Sequence, residues 1–178
     1  NIDLSYNLLT TIPEDLFNNS ENLTSVNLKR NQIKNVTKCF SGNNRLEHID
    51  LSNNLIGFCD YAFQSLLSLK TINLEDNRVR KITKNCFSST PSLEELILRQ
   101  NNISQIDSEA FSQLDQLQNI DVSRNRLKTL SRESFPVVLK IRELFTSGNY
   151  WVCDCRLLWI RDWMMDNTAF NASNFDFA

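Results

Sequence analysis

Few side chains in this sequence could carry out chemistry. The only histidine, His48, has no second histidine with which to bind a metal or form a catalytic pair. There is no glycine-rich phosphate loop or nucleophile elbow, and the chain has only three glycines. Carboxylates such as Asp50 and Glu75 could act as an acid–base pair, but they stand between apolar residues and are expected to face solvent. The sequence therefore predicts a protein that is not an enzyme and that binds no metal or cofactor.

Overall charge and hydropathy limit the kind of partner. The 178 residues carry a formal net charge of -2 and a pI near 5.5, which gives no general attraction to nucleic acid. The apolar runs are far shorter than the roughly 20 residues that cross a bilayer. Because the chain begins inside a repeating pattern without an initiating methionine, we expect any membrane anchor to lie outside it.

One asparagine recurs along the whole sequence, at intervals of 24, 23, 23, 24, 24 and 24 residues. We call these residues the ladder asparagines: Asn7, Asn31, Asn54, Asn77, Asn101, Asn125 and Asn149. Most follow two apolar residues at fixed distance, as Asn31 follows Val26 and Leu28. This alternation predicts a short strand in each repeat, and the fixed period predicts a solenoid. Phenylalanines keep the same period between the strands: Phe17, Phe40, Phe63, Phe87, Phe111 and Phe135.

The pattern resembles the leucine-rich repeat family, consensus LxxLxLxxNxLxxLxxxxFxxLxx, over essentially the whole chain. The resemblance implies an α/β-class solenoid: a curved right-handed coil with a parallel concave β-sheet, an irregular convex side and a C-terminal cap. It also implies that the ladder asparagines bond to the backbone of their own turn and of its neighbour. We expect about six repeats, the first truncated, over residues 1–140, and the last strand with a partial cap over residues 141–178.

The C-terminal sequence indicates the cap. Residues 149–164 read NYWVCDCRLLWIRDWM and are similar to the cysteine-flanked cap of extracellular leucine-rich repeat proteins, NPWxCDCxLxWLxxWL, with Tyr150 in place of proline. Leu157, Ile160 and Met164 have helical spacing, which predicts a helix laid over the last repeat.

In that cap family the paired cysteines bond to two further cysteines downstream. No cysteine follows Cys155 in this sequence, so we expect Cys153 and Cys155 to have disulfide partners outside this chain segment. A zinc site is a poor alternative, because zinc ligand pairs are normally two to four residues apart and two more ligands are needed.

The other three cysteines lie within the repeats. Cys39 and Cys86 hold the slot that Ala62 and Ala110 hold in other repeats, and Cys59 takes an apolar slot. We expect all three to be small buried residues that are unpaired with one another. Cys39 and Cys86 are two turns apart, about 10 Å, which is beyond the Cα separation that a disulfide spans.

The concave sheet is the predicted binding surface. The outward residue between the two apolar positions of each repeat forms a row that we call the middle row: Asp3, Asn27, Asp50, Asn73, Ile97, Asp121 and Phe145. Ile97 and Phe145 interrupt this polar row, and exposed apolar residues on a rigid sheet are what a binding hot spot needs. We expect a protein ligand to contact Asp50, Glu75, Ile97, Arg99, Asp121 and Phe145.

Basic residues form a competing surface, which we call the basic flank: Lys34, Lys38, Arg78, Arg80, Lys81, Lys84, Arg126 and Lys128. They follow alternate ladder asparagines and are absent from the repeats between. Solvation is the default interpretation of such charges, but convergent basic side chains could attract an anionic glycan such as heparan sulfate.

Five N-x-Ser/Thr sequences indicate glycosylation in a secretory route, at Asn18, Asn22, Asn35, Asn102 and Asn171. By resemblance, the repeat length and the cap are typical of single-pass receptor and adhesion ectodomains, often with immunoglobulin domains, and less closely of Toll-like receptors. We therefore expect a cell-surface ectodomain that binds an extracellular protein ligand or co-receptor and no nucleic acid. A secreted matrix or glycan-binding leucine-rich repeat protein is the main alternative.

Overall fold

The computed structural model describes residues 1–14, 16–17, 20–134, 141–152 and 157–166. Within them, one short strand recurs in each repeat, and an α-helix follows the last strand. In chain order the elements are β1 (Ile2–Asp3), β2 (Ser25–Asn27), β3 (His48–Asp50), β4 (Thr71–Asn73), β5 (Lys81–Ile82), β6 (Glu95–Ile97), β7 (Gln105–Ile106), β8 (Asn119–Asp121), a 3-10 turn (Arg132–Ser134), β9 (Glu143–Phe145) and α1 (Leu158–Asp166).

The principal sheet is parallel and follows the order of the repeats. Its strands lie in the order β1-β2-β3-β4-β6-β8-β9, while β5 and β7 pair separately on the return side. The register joins equivalent residues, so that Ile49 pairs with Ile72 and Asp50 with Asn73. Each slot of the repeat is therefore stacked on the same slot of the next repeat, which is the predicted solenoid.

Phenylalanines fill the return side of the core. Phe17, Phe40, Phe63 and Phe87 are each no more than 1% exposed. Successive rings of these four stack with centroids 5.6, 6.4 and 5.9 Å apart. Phe111 continues the buried column, whereas Phe135 lies outside the described residues. The periodic phenylalanines thus form the predicted spine within the described repeats.

The ladder asparagines join consecutive turns. The Asn77 Oδ1 atom accepts a hydrogen bond from the Ile56 amide at 3.0 Å, and its Nδ2 atom donates to the carbonyls of Leu51 and Leu74 at 2.9 and 3.1 Å. The same pattern recurs at Asn31, Asn54, Asn101, Asn125 and Asn149. The predicted bonding to both turns is confirmed, and it pairs backbone groups that would otherwise be buried without partners.

The prediction that the three repeat cysteines are unpaired is wrong for two of them. Cys59 and Cys86 form a disulfide with their Cα atoms 4.9 Å apart. They hold different slots on neighbouring turns, and the chain path brings those slots together within disulfide range. Cys39 and Cys86, which share a slot two turns apart, do not bond to each other. Cys39 is buried and unpaired as expected, and burial raises the pKa of its thiol to about 11.

Helix α1 covers the last repeat, as the cap sequence predicts. Leu157 and Ile160 are buried, and the Trp159 Nε1 atom donates to the Leu130 carbonyl at 3.0 Å. Cys153, Cys155 and the side chain of Met164 lie outside the described residues, so the cap disulfides stay a prediction. Among the described residues, no helix has the length and apolar character needed to cross a membrane.

Candidate protein-binding surface

The middle row of the sheet has a structural role that the sequence analysis missed. The Asp50 Oδ1 atom accepts a hydrogen bond from the Ser52 amide at 2.8 Å, and the Asn73 Oδ1 atom accepts one from the Glu75 amide at 2.9 Å. Side chains of this type commonly bond to the backbone two residues later and so form a local turn. The same bond occurs at Asp3, Asn27 and Asp121. These aspartates and asparagines therefore help the chain to leave each strand.

Ile97 and Phe145 are the two members of the middle row that cannot make this bond, since neither side chain has an oxygen atom. Both are partly exposed. Each flanks Asp121 on a neighbouring strand, as the register of β6, β8 and β9 shows. The two apolar side chains thus occupy slots where the repeat otherwise places a turn-forming polar residue.

A shallow depression of about 270 Å³ opens on the sheet around these residues. We call it the depression, and it is lined by Glu75, Glu95, Leu96, Ile97, Arg99, Asn119, Ile120, Asp121, Glu143 and Phe145. Five of the six residues predicted to bind a ligand lie in this lining; the sixth, Asp50, is partly exposed on β3, outside it. The structure therefore brings most of the predicted set together on one concave surface.

Carboxylates dominate the charge of the depression. Glu75, Glu95, Asp121 and Glu143 line it with a single basic residue, Arg99. The Arg99 Nε atom lies 3.5 Å from Glu75 Oε1. In the described part of the chain, no lysine or arginine forms an ion pair with Glu95, Asp121 or Glu143. The depression consequently has negative charge that this part of the chain does not balance.

Glu95 and Glu143 were not among the residues predicted from the sequence. They hold the first position of their strands, the slot that His48 and Thr71 hold earlier in the chain. This slot lies outside the middle row. Glu95 and Glu143 are the acidic first-position residues of the two strands that carry Ile97 and Phe145.

An acidic residue outside the depression is paired. The Lys70 Nζ atom lies 2.7 Å from Glu47 Oε2. The hydrogen bond and the charge of Lys70 lower the pKa of Glu47, and the same contact raises the pKa of Lys70. Because both side chains are about a third or more exposed, solvent screening keeps the contribution to stability small. The pair nonetheless neutralises this carboxylate.

Comparison with known proteins gives the family. A family model described as "BspA type Leucine rich repeat region (6 copies)" matches residues 36–150, and one described as "Leucine rich repeat" matches residues 1–56. The chain belongs to the leucine-rich repeat family. Comparison with curated proteins gave no match.

A solved structure provides the second comparison. This leucine-rich repeat chain is similar to a chain in the crystal structure of a TLR13–ssRNA13 complex, with a TM-score of 0.67 and 28% sequence identity. The match covers 88% of this chain and 26% of that chain. The leucine-rich repeat chain therefore corresponds to about a quarter of the larger protein.

The only histidine, His48, is the first residue of β3. His48 is exposed, and its Nδ1 atom lies 3.3 Å from Thr71 Oγ1. Across the described ranges, no group of three His, Cys, Asp or Glu side chains is arranged to hold a metal ion.

The basic flank is exposed throughout, and Lys81 also pairs with Asp107 at 2.8 Å. The repeat between Lys38 and Arg78 has aromatic residues in place of the basic ones. Phe58 and Tyr61 are 47% and 46% exposed. The Tyr61 amide donates to the Asn85 carbonyl at 3.2 Å, which places this repeat directly beside Lys84. The flank is thus a mixed basic and aromatic surface.

Three of the predicted glycosylation sites lie within the described residues. Asn22 and Asn35 are exposed, whereas Asn102 is half-buried and its backbone amide donates to the Val79 carbonyl at 3.0 Å. Asn18 and Asn171 lie outside the described residues. Of these three asparagines, Asn22 and Asn35 are therefore the more accessible.

Proposed function

We propose that this chain is the protein-binding part of a cell-surface receptor or adhesion molecule, and that its partner docks in the depression around Ile97 and Phe145. The observation that carries the proposal is the replacement of the polar middle-row residue at these two positions. Five other strands use that slot to form a hydrogen bond to the backbone. Ile97 and Phe145 give up that bond and leave apolar surface partly exposed, which is unfavourable for the isolated protein.

A partner that covers Ile97 and Phe145 would bury this apolar surface and so stabilise the complex. Exposed apolar and aromatic side chains on a rigid element are typical centres of binding energy, because they lose little conformational entropy and bury apolar area when a partner covers them. The parallel sheet holds Ile97 and Phe145 at a fixed separation of two strands, about 10 Å. A protein segment can contact both at once.

The disulfide supports an extracellular location. Bonds such as Cys59–Cys86 persist in oxidising compartments and are rare in the cytosol. The exposed sequons at Asn22 and Asn35 are consistent with passage through the secretory route. These observations are consistent with a cell-surface protein and with a secreted matrix protein.

A nucleic-acid ligand is disfavoured at the depression. The similar TLR13 structure is a complex with ssRNA13, but Glu75, Glu95, Asp121 and Glu143 would repel phosphate groups, and Arg99 alone does not offset them. An anionic polymer would have to use the basic flank. The exposed Phe58 and Tyr61 beside it make a glycan-binding matrix protein the second candidate function.

The test is a screen of recombinant cell-surface ectodomains with the wild-type chain, followed by affinity measurements on variants. We expect Phe145→Ala and Ile97→Ala to weaken binding, each by at least about tenfold, as hot-spot truncations do. The control, Arg78→Glu with Arg80→Glu, should bind normally. If the flank variant abolishes binding and Phe145→Ala has no effect, the matrix or glycan function replaces this proposal.

A further inference from the structure

We infer that the partner inserts an arginine side chain, next to an apolar residue, into the depression. This inference rests on the proposed function, since it identifies the chemistry of the group that docks there. It concerns the unbalanced carboxylates of the depression and their position relative to its two apolar side chains.

The carboxylates and the apolar side chains form two parallel rows on three adjacent strands. Glu95, Asn119 and Glu143 are in register in the first row. The middle row beside it contains Ile97, Asp121 and Phe145 in the same register. Glu95 and Glu143 are thus separated by two strand spacings, about 10 Å. A group that lies over Asn119 would be within reach of both carboxylates and of one apolar residue on either side.

Charge complementarity selects the occupant. A neutral apolar group in the depression would remove water from carboxylates that have no cation among the described residues, at a high cost in free energy. An anionic group would add repulsion. A cationic side chain instead supplies the missing counter-charge to Glu95, Asp121 and Glu143. Arg99 does not meet this need because it already lies against Glu75.

Arginine fits the two rows better than lysine does. Its planar guanidinium can donate hydrogen bonds to more than one carboxylate and can stack on the ring of Phe145. Its aliphatic stem can lie along Ile97 while the charge stays near the acidic row. A neighbouring apolar residue of the partner would then complete the burial of both apolar side chains.

The experiment is selection of random displayed peptides on the immobilised wild-type chain, with affinities of the recovered peptides then measured as synthetic compounds. We expect recovered peptides to share an arginine beside an aliphatic or aromatic residue. Replacing that arginine by citrulline, which has a similar shape but no charge, should weaken binding about tenfold or more. Replacement by lysine should weaken it less.

Variants of the chain locate the interaction. Glu95→Gln with Glu143→Gln should weaken the arginine peptides about tenfold and reduce the dependence of their affinity on salt. The matched control, Glu21→Gln with Glu109→Gln, makes the same change in net charge at exposed residues outside the depression and should have no effect. Circular dichroism of each variant checks that the fold is retained.

Three outcomes would contradict the inference. Neutral or acidic peptides that bind the wild type but not Ile97→Ala would contradict the insertion of an arginine and leave the proposed function intact. Arginine peptides bound equally by the depression and control variants would show attraction to overall charge alone. Failure to recover any peptide that depends on Ile97, Phe145 or Glu143 would count against both the inference and the proposed docking site.

Discussion

The interior ladder asparagines bond to two turns of the chain at once. We expect Asn77→Leu to lower the free energy of unfolding by about 1 to 3 kcal/mol, because the Ile56 amide and the Leu51 and Leu74 carbonyls lose their partner in a buried setting. Urea denaturation measures the change. Asn7→Leu is the matched control, because Asn7 is exposed and, within the described part of the chain, bonds only to carbonyls of its own turn. Equal effects of the two substitutions would contradict the role assigned to the bonds between turns.

The middle row predicts a conflict between stability and binding at Ile97. Asparagine at this position can accept the backbone hydrogen bond that Asn73 makes one strand earlier. We therefore expect Ile97→Asn to leave the free energy of unfolding unchanged or raise it by up to about 1 kcal/mol, while partner affinity falls.

Thermal denaturation and binding assays of the same variant check both expectations. The reverse substitution, Asn73→Ile, is the control and should lower stability because it removes an existing bond. A marked loss of stability in Ile97→Asn would show that Ile97 serves packing within the protein, and the argument for its role in binding would fail.

Among the strands and turns, the disulfide is a covalent link between two neighbouring repeats. Cys59 and Cys86 are 27 residues apart in sequence, and closing a loop of this size stabilises a folded chain by about 3.5 kcal/mol. We expect Cys59→Ala with Cys86→Ala to lower stability by about that amount in denaturant titration. A reducing agent should lower the unfolding midpoint of the wild type and not that of the double variant. If reduction affects both proteins alike, the bond is not formed in solution.

The sequence was sufficient to predict features that repeat in the same slot. The strands, the phenylalanine spine and the asparagine ladder follow from a fixed period, because translation by one repeat superimposes each residue on its equivalent. The Cys59–Cys86 bond was missed because it joins different slots, whose proximity depends on the path of the chain around the turn. Glu95 and Glu143 were missed for a related reason: the depression spans three strands, whereas the sequence was compared along one row.

Across the whole molecule, stability is expected to depend on position along the solenoid. Each turn contacts mainly its neighbours, so in the 178-residue chain taken alone the first turn has fewer supporting contacts than an interior one. The amides of Leu9 and Val79 both donate to a ladder asparagine at 3.0 Å. Hydrogen exchange should nevertheless be faster at Leu9, beside the exposed Tyr6 and Leu8 side chains. Equal protection would indicate that the described repeats unfold as one cooperative unit.

The hydrogen bonds of the ladder asparagines repeat with translational symmetry from one turn to the next. A duplicated turn would have the same hydrogen-bond donors and acceptors on both sides as the original turn. The chain can therefore lengthen by whole turns. The disulfide breaks this symmetry, since it joins the fifth residue after Asn54 to the ninth after Asn77. A turn inserted between Cys59 and Cys86 would separate the two sulfur atoms, whereas one inserted before Cys59 would leave both the bond and the three strands of the depression unchanged. The number of turns before Cys59 is therefore free to vary during evolution or design, while the depression keeps its form.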